Sequence, residues 1–387
     1  MGVRVIDCGA IATPALALAA LAHGAGAVMV TGSHIPADRN GLKFYSRRGE
    51  ITKIDEEAII AALGATPSKV PAAEQIEDTT AEQAFVQRYV SACGSDALSG
   101  RRIGLYSHSA VARDTLLAIL SQLGAEVLDL GRSDTFIPVD TEAVDPETRA
   151  MIRTWVLDNA LDALVSTDGD SDRPLLADET GTVVPGDVLG QITAQALTVD
   201  TVVTPISSNS GVVQKGFSRV LRTRIGSPFV IAGMEEAGGR VAGYEANGGF
   251  LLGFEAQGPT GSFAPLPTRD CVLPIVMTLI AARGGTVSER VAQEPPVVTV
   301  ADRLQEVPQS WSRPGCLAAH DAAESALDLT DGVRMITTTG QVVHVRPSGN
   351  APELRLYVEA VDAGAAQDLL KRGLARLRAE LAASGAA

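Results

Sequence analysis

The run Ala27-Val28-Met29-Val30 passes straight into Thr31-Gly32-Ser33-His34-Ile35-Pro36. An apolar run this short, bounded by small and polar residues, reads as a buried strand. Residues 4–7 read as an earlier strand and 15–24 as an Ala/Leu-rich helix. Strand, helix and strand make a βαβ unit, which predicts parallel neighbours. Loops at the carboxyl ends of such strands are where open α/β sheets bind ligands. Ser33 sits on that loop, His34 adjoins it, and Lys43 follows the Asn40-Gly41 turn. A hydroxyl beside an imidazole, with an ammonium close by, suits a serine that accepts and returns a charged group. The same residues also occur in ordinary surface turns.

The alternation then restarts. Helices are expected at 81–92, 112–123 and 146–159, with strands at 102–106, 126–130 and 163–167. After residue 186 come a helix at 188–197, a strand at 201–205, a helix opening at 211–217 and strands at 220–224 and 241–243. Residues 252–261 read as loop and 269–282 as one long apolar helix. From 297 the pattern changes: strands at 297–300, 333–338, 341–346 and 354–360 precede an amphipathic helix at 363–382. That order suggests a small α+β unit with an antiparallel sheet. A chain of 387 residues is too long for one compact unit. The fold class is therefore α/β: three α/β domains with mixed sheets and a C-terminal α+β domain, around a central active-site cleft. The boundaries fall at 1–80, 81–185, 186–296 and 297–387, with 65–80 as a linker.

A net charge of −14 argues against nucleic acid or an anionic membrane as partner. The four cysteines, Cys8, Cys93, Cys271 and Cys316, have no metal spacing and read as reduced thiols of a cytoplasmic protein. No secretory signal or membrane span is evident. Residues 1–7 begin a strand at once, as if joining a sheet in its middle.

Asp168, Asp170 and Asp172 alternate after the strand at 163–167. Three converging carboxylates suit one hard cation, magnesium or calcium. Glu179 falls at the last ligand position of an EF-hand, but Arg173 and Pro174 occupy the turn where that loop needs glycine, and a strand precedes it. A phosphatase with an aspartate nucleophile also has Asp-x-Asp after a strand; the third aspartate and the separate Ser33 loop favour serine chemistry. In Gly243-Tyr244-Glu245-Ala246-Asn247-Gly248-Gly249, Glu245 and Asn247 can face one pocket and bind sugar hydroxyls. By themselves they are two polar residues in a Gly-rich turn. Arg346-Pro347-Ser348-Gly349-Asn350 has the donors of a phosphate cradle, and equally those of an ordinary turn.

Taken together, Thr31 to Pro36, Asp168 to Arg173, Gly243 to Gly249 and Arg346 to Gly349 resemble, in order, the four active-site loops of the α-D-phosphohexomutases. The resemblance spans essentially the whole chain. It implies reversible transfer of phosphate between O1 and O6 of a hexose, through a hexose 1,6-bisphosphate. Ser33 would carry the phosphate. Asp168, Asp170 and Asp172, with a phosphoserine oxygen, would hold Mg²⁺. Lys43 and His34 would orient the phosphoserine and move protons, and Arg173 would face the substrate. Arg224, Glu245 and Asn247 would bind the sugar substrate; Arg346, Ser348, Gly349 and Asn350 would grip the non-reacting phosphate. Glucose 1,6-bisphosphate would be the activator, and the protein a monomer or homodimer. Ser33 to Gly41 and Gly131 to Phe136 look like bacterial phosphomannomutases. Gly249 and Asn247 depart from the His and Ser of many bacterial members. Family members also carry an opening segment with no match here, so this chain is expected to be less stable or less active than a longer version. The alternatives are action on glucose or (acetyl)glucosamine phosphates, or binding without catalysis.

Overall fold

The computed structural model describes residues 2–33, 39–66, 73–307, 326–348 and 352–383. The first section holds β1 (Val5–Asp7), α1 (Thr13–His23), β2 (Ala27–Thr31), β3 (Gly41–Ser46), β4 (Gly49–Glu50), α2 (Lys53–Ala61) and β5 (Gln75–Glu77). Helix α2 starts on a reciprocal cap in which Thr52 and Asp55 each satisfy the other's backbone N–H. Both strands expected of the opening βαβ unit form, but they do not pair. β1 runs parallel to β5, and β2 runs antiparallel to β3. Two separate sheets result, β1 with β5 and β2 with β3 and β4. Residues expected in a linker supply β5. A cavity of about 550 Å³ lies between the two sheets, lined on one side by Val5 and on the other by Val28 and Val30. Val28 and Val30 stand 51% and 65% exposed, as expected where a strand edge lacks a neighbour.

The second section comprises α3 (Ala81–Cys93), β6 (Arg102–Tyr106), α4 (Arg113–Gln122), β7 (Glu126–Leu130), α5 (Pro146–Asp158), β8 (Ala163–Thr167) and β9 (Pro174–Asp178). Its sheet order is β7-β6-β8-β9, parallel except for β9. Asp145 caps α5 by accepting from Thr148 N–H, and Pro146 takes the first turn, where no donor is lost.

The third section comprises α6 (Gly186–Ala196), β10 (Thr201–Pro205), β11 (Arg219–Thr223), α7 (Ser227–Ala237), β12 (Val241–Tyr244), β13 (Phe250–Leu252), β14 (Ala256–Gln257), β15 (Ser262–Phe263), β16 (Leu266–Asp270), α8 (Val272–Ala281) and α9 (Val287–Val291). Its main sheet, β11-β10-β12-β13-β16, is mixed. Three expectations change here. The helix expected at 211–217 is one 3₁₀ turn, Ser210–Gln214. The loop expected at 252–261 contains β14. The helix expected at 269–282 is strand β16 followed by α8: 266–270 alternates inside and outside before the apolar run begins.

The fourth section is an antiparallel sheet, β17 (Val298–Gln305), β18 (Ala326–Asp328), β19 (Val333–Ile336), β20 (Val342–Pro347) and β21 (Glu353–Ala360), covered by α10 (Ala363–Ala383). One continuous core runs through the first three sections, with Phe85, Tyr89, Ile192, Phe250 and Val276 buried in it. The fourth section packs Leu356, Val358 and Leu377 into a core of its own. No helix among the described residues is long and apolar enough to cross a membrane.

Candidate active site

Ser33 follows β2 and Asp168 follows β8, so both lie at carboxyl ends of strands. The Ser33 hydroxyl donates to Asp168 Oδ2 at 2.9 Å. Ser33 and Ser171 both adopt left-handed backbone, with φ of 48° and 58°, a conformation that non-glycine residues rarely hold outside over-determined sites. The surroundings supply that determination. Ser33 N–H donates to Thr31 Oγ1 at 2.7 Å, and Ser171 Oγ accepts from Ala112 N–H at 3.2 Å. Gly169 lets the two loops meet: a Cβ there would stand 2.4 Å from the Ser33 carbonyl oxygen. From α1, Thr13 Oγ1 donates to Asp170 Oδ2 at 3.0 Å.

Asp168, Asp170 and Asp172 are buried, and one carboxylate oxygen of each lies within 4.8 Å of the others. The Lys43 ammonium, on β3, donates to Asp170 Oδ2 at 2.5 Å and to Asp172 Oδ2 at 2.6 Å. Arg173 Nε stands 3.9 Å from Asp168 and 3.8 Å from Asp172. Burial, then Asp172 and Asp170, push the Asp168 carboxyl up to about 7. Burial also works against the Asp172 charge, but Arg269, Lys43 and Arg173 together hold that group below the usual carboxylate range. Three buried carboxylates repel unless cations compensate. Asp170 Oδ1 and Asp172 Oδ1 are buried with no hydrogen bond among the described residues. An all-oxygen set with orphaned lone pairs fits Mg²⁺.

The sugar-loop expectation places Glu245 and Asn247 after β12, and both are buried. Asn247 Oδ1 accepts from Gly249 N–H at 3.0 Å. Burial raises the Glu245 carboxyl, against the pull of Arg269 and Arg173. Arg269, at the end of β16, was not among the residues singled out from sequence. Its Nη2 lies 2.9 Å from Asp172 Oδ2 and its Nη1 3.7 Å from Glu245 Oε2. The stretch Leu266-Pro267-Thr268-Arg269-Asp270 has no apolar alternation that would have marked a strand end, and its buried positions include Thr268 and Asp270.

Arg346 lies on β20 and approaches Asp331 at 3.5 Å. Asp331 in turn accepts from Ile225 N–H at 3.0 Å, which ties the fourth section to the third. Ser348 N–H donates to the Glu353 carbonyl at 2.8 Å. Arg224 is exposed just past β11, its guanidinium over the Phe229 ring at 5.0 Å. No hydrogen bond or ion pair joins Arg224 to the aspartate cluster among the described residues. His34, Gly349 and Asn350 lie outside the described residues. Ser33, Lys43, Arg173, the three aspartates and Glu245 are thus brought together, with Arg269 added to them.

Four family models match successive parts of the chain. They are the phosphoglucomutase/phosphomannomutase α/β/α domain I at 1–69, domain II at 83–181, domain III at 181–298 and the C-terminal domain at 293–375. A phosphomannomutase of Sinorhizobium fredii is 45% identical over 98% of this chain and 85% of its own length. A phosphomannomutase of Salmonella muenchen is 40% identical over 98% of this chain and 83% of its own. A phosphoglucomutase/phosphomannomutase family protein from Burkholderia thailandensis has the same fold, with a TM-score of 0.80 and 20% identity over 99% of this chain and 84% of its own.

Proposed function

The chain belongs to the phosphoglucomutase/phosphomannomutase family, and within it we propose a phosphomannomutase that interconverts mannose 1-phosphate and mannose 6-phosphate. Glucose phosphates are further substrates. The observation that carries this reading is the Ser33 hydroxyl 2.9 Å from Asp168, at the rim of the buried carboxylates. The 45% identity to a phosphomannomutase supports mannose as the sugar.

Phosphorylated Ser33 meets the free hydroxyl of a hexose monophosphate. The new P–O bond forms at the sugar as the bond to Ser33 Oγ breaks, giving a hexose 1,6-bisphosphate. His34 and Lys43 orient the phosphoserine and handle the proton of the attacking hydroxyl. After the intermediate turns over in the cleft, the other phosphoryl group returns to Ser33. Asp168, Asp170 and Asp172, with a phosphoserine oxygen, would hold Mg²⁺, which when bound would offset charge on the transferring group. Arg173 faces the substrate; Arg224, Glu245 and Asn247 bind the sugar. Arg346, Ser348, Gly349 and Asn350 grip the idle phosphate. The fourth section, with its separate core, opens and closes the cleft. Glucose 1,6-bisphosphate activates by phosphorylating Ser33. Cys8, Cys93 and Cys271 are unpaired thiols, which suits the reducing cytoplasm as the site of action.

The test supplies Mg²⁺, a trace of glucose 1,6-bisphosphate and mannose 1-phosphate, and follows mannose 6-phosphate. Product is expected, and Ser33→Ala abolishes it without changing the melting temperature. Full turnover by Ser33→Ala overturns the mechanism. Faster turnover of glucosamine or N-acetylglucosamine phosphate overturns the choice of sugar.

A further inference from the structure

We propose that Arg269 is a positioning residue that ties the metal loop to the sugar loop, and that Gly249 exists to make room for it. The inference rests on the reading above, in which Asp172 holds the metal and Glu245 binds sugar hydroxyls. Three observations carry it. One guanidinium spans carboxylates from two loops, at 2.9 Å from Asp172 and 3.7 Å from Glu245. That guanidinium is largely enclosed, its side chain 14% exposed, beside carboxylates that are 0% and 7% exposed. A planar fork can serve two carboxylates at once, whereas an ammonium is a single point charge. The Arg269 stem lies directly on Gly249: a Cβ there would stand 2.8 Å from its Cγ, 2.9 Å from its Cδ and 3.0 Å from its Cβ. Contacts that close belong to the root of the side chain, so it has no room to swing aside.

The base of the side chain is held from the first section as well. Its neighbour Thr268 donates to Glu50 Oε1 at 2.9 Å, and Ser227 donates to Glu50 Oε2 at 2.6 Å. The strand end carrying Arg269 is therefore anchored on one side, and the fork reaches forward on the other. Glu245 Oε2 has no hydrogen bond among the described residues, so its orientation depends on this ion pair. Among the described residues Arg269 makes no ion pair except with Asp172 and Glu245, and it acts through those two.

The experiment is a double-variant cycle of Arg269→Gln with Glu245→Gln, measured as kcat and KM for mannose 1-phosphate and glucose 1-phosphate. Calorimetric binding of mannose 1-phosphate to the same variants in the Ser33→Ala protein supplies a readout without turnover. Arg269→Gln is expected to weaken that binding about tenfold, the loss of one well-placed ion pair, and to raise KM in parallel. It also shrinks the preference between the two epimers, because a loosened Glu245 discriminates less. The double variant is expected to be little worse than either single one, since residues acting as a unit are not additive. Arg269→Lys restores only part of the loss. Gly249→Ala, whose Cβ would press on the Cβ, Cγ and Cδ of Arg269, is expected to reproduce the Arg269→Gln pattern with a lowered melting temperature. Additive losses, or an unchanged epimer preference in Arg269→Gln, overturn the inference while leaving the mutase intact. Absence of turnover in the unsubstituted protein overturns both.

Discussion

Lys43 is the cation on which the aspartate cluster most directly depends. Its ammonium bridges Asp170 and Asp172 at 2.5 and 2.6 Å. Removing one partner from a buried ion cluster leaves uncompensated charge. Lys43→Ala should therefore lower turnover about a hundredfold or more, in the range of a lost acid–base or orienting group. It should also make the protein lean harder on the divalent ion. Added Mg²⁺ is expected to raise the melting temperature of Lys43→Ala more than that of the parent, and chelation to reverse this. Equal stabilisation of the two proteins would show that Lys43 does not balance the carboxylates. At this scale the serine and the aspartates were legible because each group is local in sequence and follows a strand. Arg269 was not, because its meaning comes from Asp172 and Glu245, which only the fold brings to it.

Among the elements, α6 carries a group that should make stability depend on pH. Asp187 is 3% exposed in its first turn, and accepts from Asn209 N–H at 2.7 Å. Burial lifts its carboxyl from 3.8 to about 7, against the Asn209 bond and with help from Glu359. The folded protein thus holds this proton to higher pH than the unfolded chain does. The group's stability contribution is full below pH about 4 and is lost as pH rises through about 7, a swing of order 4 kcal/mol. Asp187→Asn should flatten the fall of melting temperature between pH 5 and 8, and an unchanged slope would remove Asp187 as its source. β16 shows how an element can be misjudged: it runs directly into the strongly apolar α8, and helical periodicity extended backward from α8 absorbs its last two residues, Arg269 and Asp270.

Across the molecule, three sections share a core and the fourth keeps its own. Leu377, 0% exposed on α10, packs only in that second core. Leu377→Ala should cost about 3 kcal/mol and, by scanning calorimetry, lower a transition of the fourth section while leaving the main one in place. A single endotherm that shifts as a whole would mean the sections unfold together. The sequence by itself determined the α/β then α+β order, the four strand-end loops and the kind of chemistry they hold. These depend on short-range signals: periodicity, turn residues and motif spacing. Only the tertiary structure decided that β1 and β2 stand apart with a cavity between them. It likewise decided that the fourth section packs separately and that Arg269 fills the space at Gly249. Strand pairing, shared burial and ion pairs across loops depend on where distant segments meet in space, and local sequence pattern carries no record of that.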